Sequence, residues 1–194
     1  MKWFTSDLHL GHENIIKYAN RPFDNVSHMN EMLIHNFNSL VFPDDTTYFM
    51  GDVVMGPRRE NLKMVSRLNG RKILILGNHD YPFDKPTWNG DYINAGFNEI
   101  HMLLQLKDPE FDGVGGSIRM QHFPVLEAGV QDSEEEVRYS GFRLHSNDHL
   151  HLSGHTHLKE KIAAPKNIHV GVDAWDYYPV SYPELLKLYK AQGW

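Results

Sequence analysis

The chain has 194 residues, enough for one domain of ordinary size, and a formal net charge of −6. That acidic balance argues against a duplex nucleic-acid partner or an anionic membrane surface, but not against a small anionic substrate, because a metal can supply local positive charge. Cysteine is absent, which excludes disulfides and thiolate chemistry and restricts any metal site to nitrogen and oxygen ligands.

Lys2 to Thr5 opens the chain as a short strand. The surrounding MKWFTSDLHLGH lacks a signal-peptide pattern, and no stretch reaches the roughly 18 apolar residues that span a bilayer, so a cytoplasmic protein with no membrane partner is expected. Ser27 to Leu40 predicts an amphipathic helix, with Met29, Met32, Leu33, Phe37 and Leu40 near a helical period. Asp44 and Asp45 mark a turn before a strand over Thr47 to Met50. Pro57 opens a helix to about Leu68, Asn69-Gly70 closes it, and Arg71 to Leu76 is a strand. Phe97 to Leu106 and Ser117 to Gln121 predict further strands. Residues 127–147 are polar, carry the acidic run Asp132 to Glu136, and are expected as an exposed excursion. Leu150 to Ser153 and Ile168 to Val172 predict short strands, and Ser181 to Tyr189 a last helix with Ser181 and Glu184 as a capping box. Strands interleaved with helices imply an α/β fold, here a single domain over residues 1–194.

Thirteen histidines against nineteen lysines and arginines direct attention to metal ligation. Five segments share one grammar, in which an apolar strand runs into potential ligands. They are WFTSDLH (Asp7, His9), TYFMGD (Asp52), ILILGNHD (Asn78, His79, Asp80), IRMQH (His122) and LHLSGHTH (His155, His157). In open α/β sheets the carboxyl ends of strands converge on one crevice, so these clusters can meet in space. Glycines before Asp52, Asn78 and His155 suit tight turns where backbones approach closely. On an extended segment alternate residues face one way, so Asp7 and His9 can address one ion together, and His155 and His157 one ion or two adjacent ions. Two carboxylates, four imidazoles and an amide oxygen exceed the needs of one tetrahedral zinc and match two ions that share a carboxylate. Nitrogen-rich ligation suits manganese, iron or zinc rather than calcium or magnesium, with manganese taken first.

D-x-H, G-D, G-N-H-D, a lone histidine and G-H-x-H, in that order, resemble the calcineurin-like metallophosphoesterase superfamily. LGHENIIKYANRPF and HVGVDAWDYYPVS are similar to its small single-domain bacterial and phage branch. The resemblance implies a four-layer α/β/β/α sandwich, two mixed sheets flanked by helices. It implies that Asp7, His9 and His157 hold one divalent ion, that Asn78, His122 and His155 hold the other, and that Asp52 bridges them. Water or hydroxide between the ions would be the nucleophile. His79 is assigned as general acid or hydrogen-bond donor to the phosphoryl group, with Asp80 orienting its imidazole. His12, Arg21 and Arg58 are candidate substrate contacts. Tyr177 and Tyr178 could stack on a base, with core packing as the plainer expectation.

GDVVMGP departs from the protein Ser/Thr phosphatases, whose G-D-x-x-D-R-G has Asp-Arg where this chain has Met55 and Gly56. The expected activity is hydrolysis of a small phosphodiester, such as a 2′,3′-cyclic nucleotide. A phosphomonoesterase or nucleotide pyrophosphatase on the same site is the alternative enzyme, and a non-catalytic scaffold the alternative of another class. A homodimer is the base-rate expectation.

Overall fold

The computed structural model describes residues 1–114, 116–126, 138–145 and 149–194. Its strands are β1 (Lys2–Thr5), β2 (Thr46–Phe49), β3 (Arg71–Ile75), β4 (Glu99–His101), β5 (Leu104–Lys107), β6 (Ser117–Met120), β7 (Leu150–Ser153), β8 (Ile162–Ala164), β9 (Asn167–His169) and β10 (Val180–Ser181). Its α-helices are α1 (Glu13–Tyr18), α2 (Val26–Leu40), α3 (Arg58–Leu62), α4 (Tyr81–Asp84), α5 (Asn89–Asn94) and α6 (Tyr182–Ala191). One five-stranded sheet has the order β10-β1-β2-β3-β4 and the other β5-β6-β7-β9-β8. In the first, β1 to β4 run parallel and β10 is antiparallel. In the second, β6, β7 and β9 are parallel while β5 and β8 are antiparallel. Two mixed sheets flanked by helices are thus present, as the resemblance implies.

The period-2 alternation of side chains divides the core in two. Phe4, Tyr48, Met50, Ile73 and Ile75 of the first sheet meet Ile118, Met120, Leu150, Leu152 and Ile168 of the second. Trp3, Phe49 and Leu74 point the other way, into Met29, Leu33 and Phe37 of α2 and into Leu62 and Phe97. Because β3 is covered on both faces, its sequence is a continuous apolar run rather than an alternating one.

α2 begins where the Asn25 side chain accepts from the His28 amide, and α6 begins with the expected Ser181–Glu184 capping box. No described helix is long and apolar enough to cross a membrane.

Three expected elements are drawn differently. The Phe97 to Leu106 strand splits into β4 and β5, which belong to different sheets, and the crossover exposes Met102 and Leu103. The Pro57 to Leu68 helix is α3 followed by a 3-10 turn over Lys63–Arg67. The Ile168 to Val172 strand ends at His169, and Val172–Ala174 forms a 3-10 turn. Of the expected excursion, residues 127–137 and 146–147, with the Asp132 to Glu136 run, lie outside the described residues.

Candidate metal centre

The parallel strands β1, β2 and β3 end at one edge, and the loops that follow them are tied together by backbone bonds. Asp7 donates to Gly51 O at 3.0 Å, His9 to Asp52 O at 2.9 Å and Leu10 to Val53 O at 2.9 Å. From the second sheet, Gly154 donates to His122 O at 2.8 Å, and His155 N donates to the Asp7 carboxylate at 3.0 and 3.1 Å. Five residues here have left-handed backbone: Asp7 (φ 58°), His9 (51°), Asp52 (55°), His155 (73°) and His157 (51°). The extended D-x-H and H-x-H segments expected from spacing are therefore sharp bends. Each such non-glycine residue costs on the order of 1–3 kcal/mol and persists because its surroundings hold it.

The glycines do serve close approach. Gly51 has φ +85°, and a Cβ on it would lie 2.4 Å from Gly77 N. Gly51→Ala combines a disfavoured conformation with an overlap, and a loss of roughly 2–4 kcal/mol in stability is expected. Denaturant unfolding checks this, and an unchanged midpoint would show that the two loops do not pack so tightly.

The side chains converge. Ligand atoms of Asp7, His9 and His157 lie within 4.8 Å of one another, as do those of Asp7, Asp52 and His122. Asp52 Oδ2 is 3.6 Å from His9 Nε2 and 3.5 Å from His122 Nε2. His122 Nε2 is 3.0 Å from Asn78 Oδ1 and 3.2 Å from His155 Nδ1. All seven residues proposed as ligands from the sequence thus meet in one place.

What they present is electron pairs. His122 Nδ1 lies 2.7 Å from Met50 O, a carbonyl that can only accept, so the ring proton sits on Nδ1. Its Nε2 then offers a lone pair toward an amide oxygen, a carboxylate and another imidazole. His9 is 2% exposed, and neither of its ring nitrogens has a hydrogen-bond partner among the described residues. Such a set of buried acceptors is stabilised by a cation, and nitrogen with hard oxygen suits a divalent transition metal.

The titration behaviour agrees for His9 and His122, whereas the Asp173 and Asp7 carboxylates raise His157 against the effect of burial. Burial pushes Asp7 up to about 6, against the opposing pull of the His157 charge. Burial, with neighbouring cationic groups, holds His9 and His122 well below their usual value and hence neutral, the ligand form.

His79 sits at the rim, 40% exposed, with Nε2 4.0 Å from Asp52 Oδ2. The His12 ring lies 5.5 Å from that of His9. Arg58 stacks 3.7 Å from the Tyr81 ring centroid and donates to His79 O at 3.1 Å.

Two assignments are corrected. Arg21 is not a substrate contact. It is 4% exposed, and its guanidinium donates to Asp173, to Leu8 O and to Asp7 O from beneath the ligands. Asp80 does not orient the His79 imidazole. It is buried, and it accepts from the amides of Asp52 (2.8 Å), Val53 (3.2 Å) and Gly77 (2.9 Å), locking the two loops together. Tyr177 packs on Phe23 at 4.9 Å between centroids, the plainer of its two expected roles.

The sequence assigns no role to Asp173, and His169 is expected from it to have no catalytic part. Asp173 accepts from His157 Nδ1 at 2.9 Å. His169 is fully buried, neither of its ring nitrogens has a partner among the described residues, and it faces Asp7 Oδ2 across Gly171. Both lie in or beside the quoted HVGVDAWDYYPVS, which gave a resemblance but no geometry.

The sequence profile of the calcineurin-like phosphoesterases matches residues 3–159. The chain belongs to the calcineurin-like phosphoesterase family. This calcineurin-like chain is 33% identical to the gene 66 protein of Mycobacterium phage L5 over 185 residues, covering 89% of this chain and 86% of that one. It is 31% identical to an uncharacterized protein of Methanocaldococcus jannaschii over 189 residues, covering 96% and 89%. A solved structure, a protein of unknown function from Aquifex aeolicus, superposes with a TM-score of 0.70 at 28% identity, over 97% of this chain and 98% of that one. Membership makes the protein a metal-dependent phosphoric ester hydrolase whose candidate ligand clusters are those described above.

Proposed function

We propose that the protein is a dinuclear phosphodiesterase acting on small diesters such as 2′,3′-cyclic nucleotides. The observation that carries this is the convergence of seven buried or half-buried ligand residues, Asp52 among them, with lone pairs facing one another at 3.0 to 3.6 Å. In this reading Asp7, His9 and His157 hold one cation, Asn78, His122 and His155 the other, and Asp52 belongs to both. Bound divalent cations supply Lewis acidity, which offsets phosphoryl charge and lowers the pKa of water. The chain's own groups do the rest. His79 presents a ring N–H at the rim to a phosphoryl or leaving oxygen. His12 and Arg58 flank the same opening, and Arg58 adds positive charge beside it.

The preference for a diester is supported by an apolar cavity of about 110 Å³ next to His122, lined by Leu76, Phe83, Leu103, Phe123 and Phe142 among others. The second organic group of a linear diester would gain from leaving water there, as would the base of a cyclic nucleotide, whose two ester bonds share one ribose. A monoesterase or pyrophosphatase would use the same ligands without needing that surface. Phe142, 53% exposed at the cavity, offers a test. Phe142→Ala is expected to lower kcat/KM severalfold for an aryl diester and leave an aryl monoester unchanged, and an equal effect on both would remove the cavity from the reading.

Metal-stripped protein should take up about two equivalents of manganese and then hydrolyse a 2′,3′-cyclic nucleotide faster than an aryl phosphomonoester. A folded chain that takes up no manganese, iron or zinc and turns over no ester is a scaffold, and the proposal fails.

A further inference from the structure

Arg21 and Asp173 are 152 positions apart, and their side chains are fully buried against each other. Arg21 Nε donates to Asp173 Oδ1 at 3.0 Å and a terminal nitrogen donates to Oδ2 at 2.8 Å, the bidentate geometry that a planar guanidinium favours. Both ends of this pair reach the candidate metal centre. Arg21 donates to the carbonyls of Asp7 (2.7 Å) and Leu8 (3.0 Å), the backbone that turns left-handed at Asp7 and His9. Asp173 Oδ2 lies 2.9 Å from His157 Nδ1. A carboxylate only accepts, so it fixes the His157 proton on Nδ1 and leaves Nε2 as the lone pair that can address a cation. Lys159 Nζ, at 3.4 Å from Asp173 Oδ1, is a further positive charge on the same carboxylate.

We infer that Arg21 and Asp173 are positioning residues, which join the Asp7–His9 turn to His157 so that the three address one divalent cation. The inference rests on the dinuclear reading above and adds what holds one of its halves. Among the described residues, the hydrogen bonds and ion pairs of this pair run to Asp7, Leu8, Met29, His157 and Lys159. Asp173 also lies beyond residue 159, where the family match ends, so the C-terminal segment completes a centre otherwise built from the family's motifs.

The consequence is a loss confined to one cation. Asp173→Asn keeps the shape and removes the charge and one acceptor. Arg21→Lys keeps the charge but cannot span two carboxylate oxygens and two carbonyls. In a manganese titration of metal-stripped protein, each variant is expected to weaken one equivalent 10- to 100-fold and leave the other as in the wild type. In the wild type, nitrogen NMR of the neutral His157 ring, taken at a pH above the pKa that Asp173 and Asp7 raise, is expected to place its proton on Nδ1, a measurement that needs no variant to fold. Wild-type uptake of two equivalents with both variants unchanged, equal weakening of both equivalents, or a His157 proton on Nε2 would each overturn this inference alone. A wild type that binds no manganese would overturn the dinuclear reading with it.

Discussion

Asp52→Asn is expected to lower kcat/KM by about 10³-fold or more and to cost the protein at least one of its two cations. Asp52 Oδ2 is the oxygen that faces both His9 Nε2 (3.6 Å) and His122 Nε2 (3.5 Å). Asparagine keeps the size and can still accept the 2.9 Å bond that His79 N makes to Oδ1, so the loop has no reason to move. What disappears is one of two negative charges near the ions. Charge stabilisation of several kcal/mol is the usual worth of such an ion, and about 4 kcal/mol corresponds to the stated factor. Unfolding is excluded by a second measurement. In the metal-free chain Asp7 and Asp52 are two buried carboxylates close together, so removing one charge should leave the metal-free Tm equal or higher, while the rise in Tm on adding manganese shrinks. An Asp52→Asn protein that binds two manganese ions and retains turnover would take Asp52 out of the centre.

Strands and the first long helix were legible because their signals are local. β1, β7 and α6 follow expectation closely, and α2 begins one residue early. The split of Phe97 to Leu106 was not, because the apolar pattern is the same whether a chain stays in one sheet or crosses to another. β4 pairs with β3 and β5 with β6, and that choice is made by partners rather than by the segment. β10, two residues long, is likewise a strand only because β1 offers it an edge.

The ligands were legible as residue types at strand ends, and their meeting follows from parallel strands that end together. Their backbone was not legible. A period of two predicts that Asp7 and His9 share a face, whereas φ values of 58° and 51° show that the loop bends at both. Bonds to Gly51 and Asp52 carbonyls impose that bend, and no propensity encodes them. Roles beneath the ligands were misread for a related reason. Arg21 looked like an anion clamp because arginine often is one, but its fork had a buried carboxylate to meet 152 positions away. Asp80 looked like the partner of its neighbour His79, but three backbone amides from two converging loops were nearer.

His79→Ala is expected to retain both manganese ions and lose 10²- to 10⁴-fold in kcat. The imidazole is outside the ligand cluster, partly open to solvent, and within 4.0 Å of Asp52 Oδ2, so it faces whatever the cations bind without holding them. Its charge state decides what it does there. Burial first, then the Arg58 guanidinium and the neighbouring histidines, lowers its pKa to about 4, so the free protein near pH 7 carries a neutral ring with one N–H. A neutral ring stabilises a phosphoryl or leaving oxygen as a hydrogen-bond donor, whereas proton transfer to a leaving group would first require the bound anion to raise that pKa. Glutamine separates the two roles, since its amide donates a hydrogen bond and cannot transfer a proton. His79→Gln should therefore recover about tenfold over His79→Ala. Glutamine no better than alanine, with metal content intact in both, would return His79 to the role of general acid, and alanine as active as the wild type would remove it from the reaction.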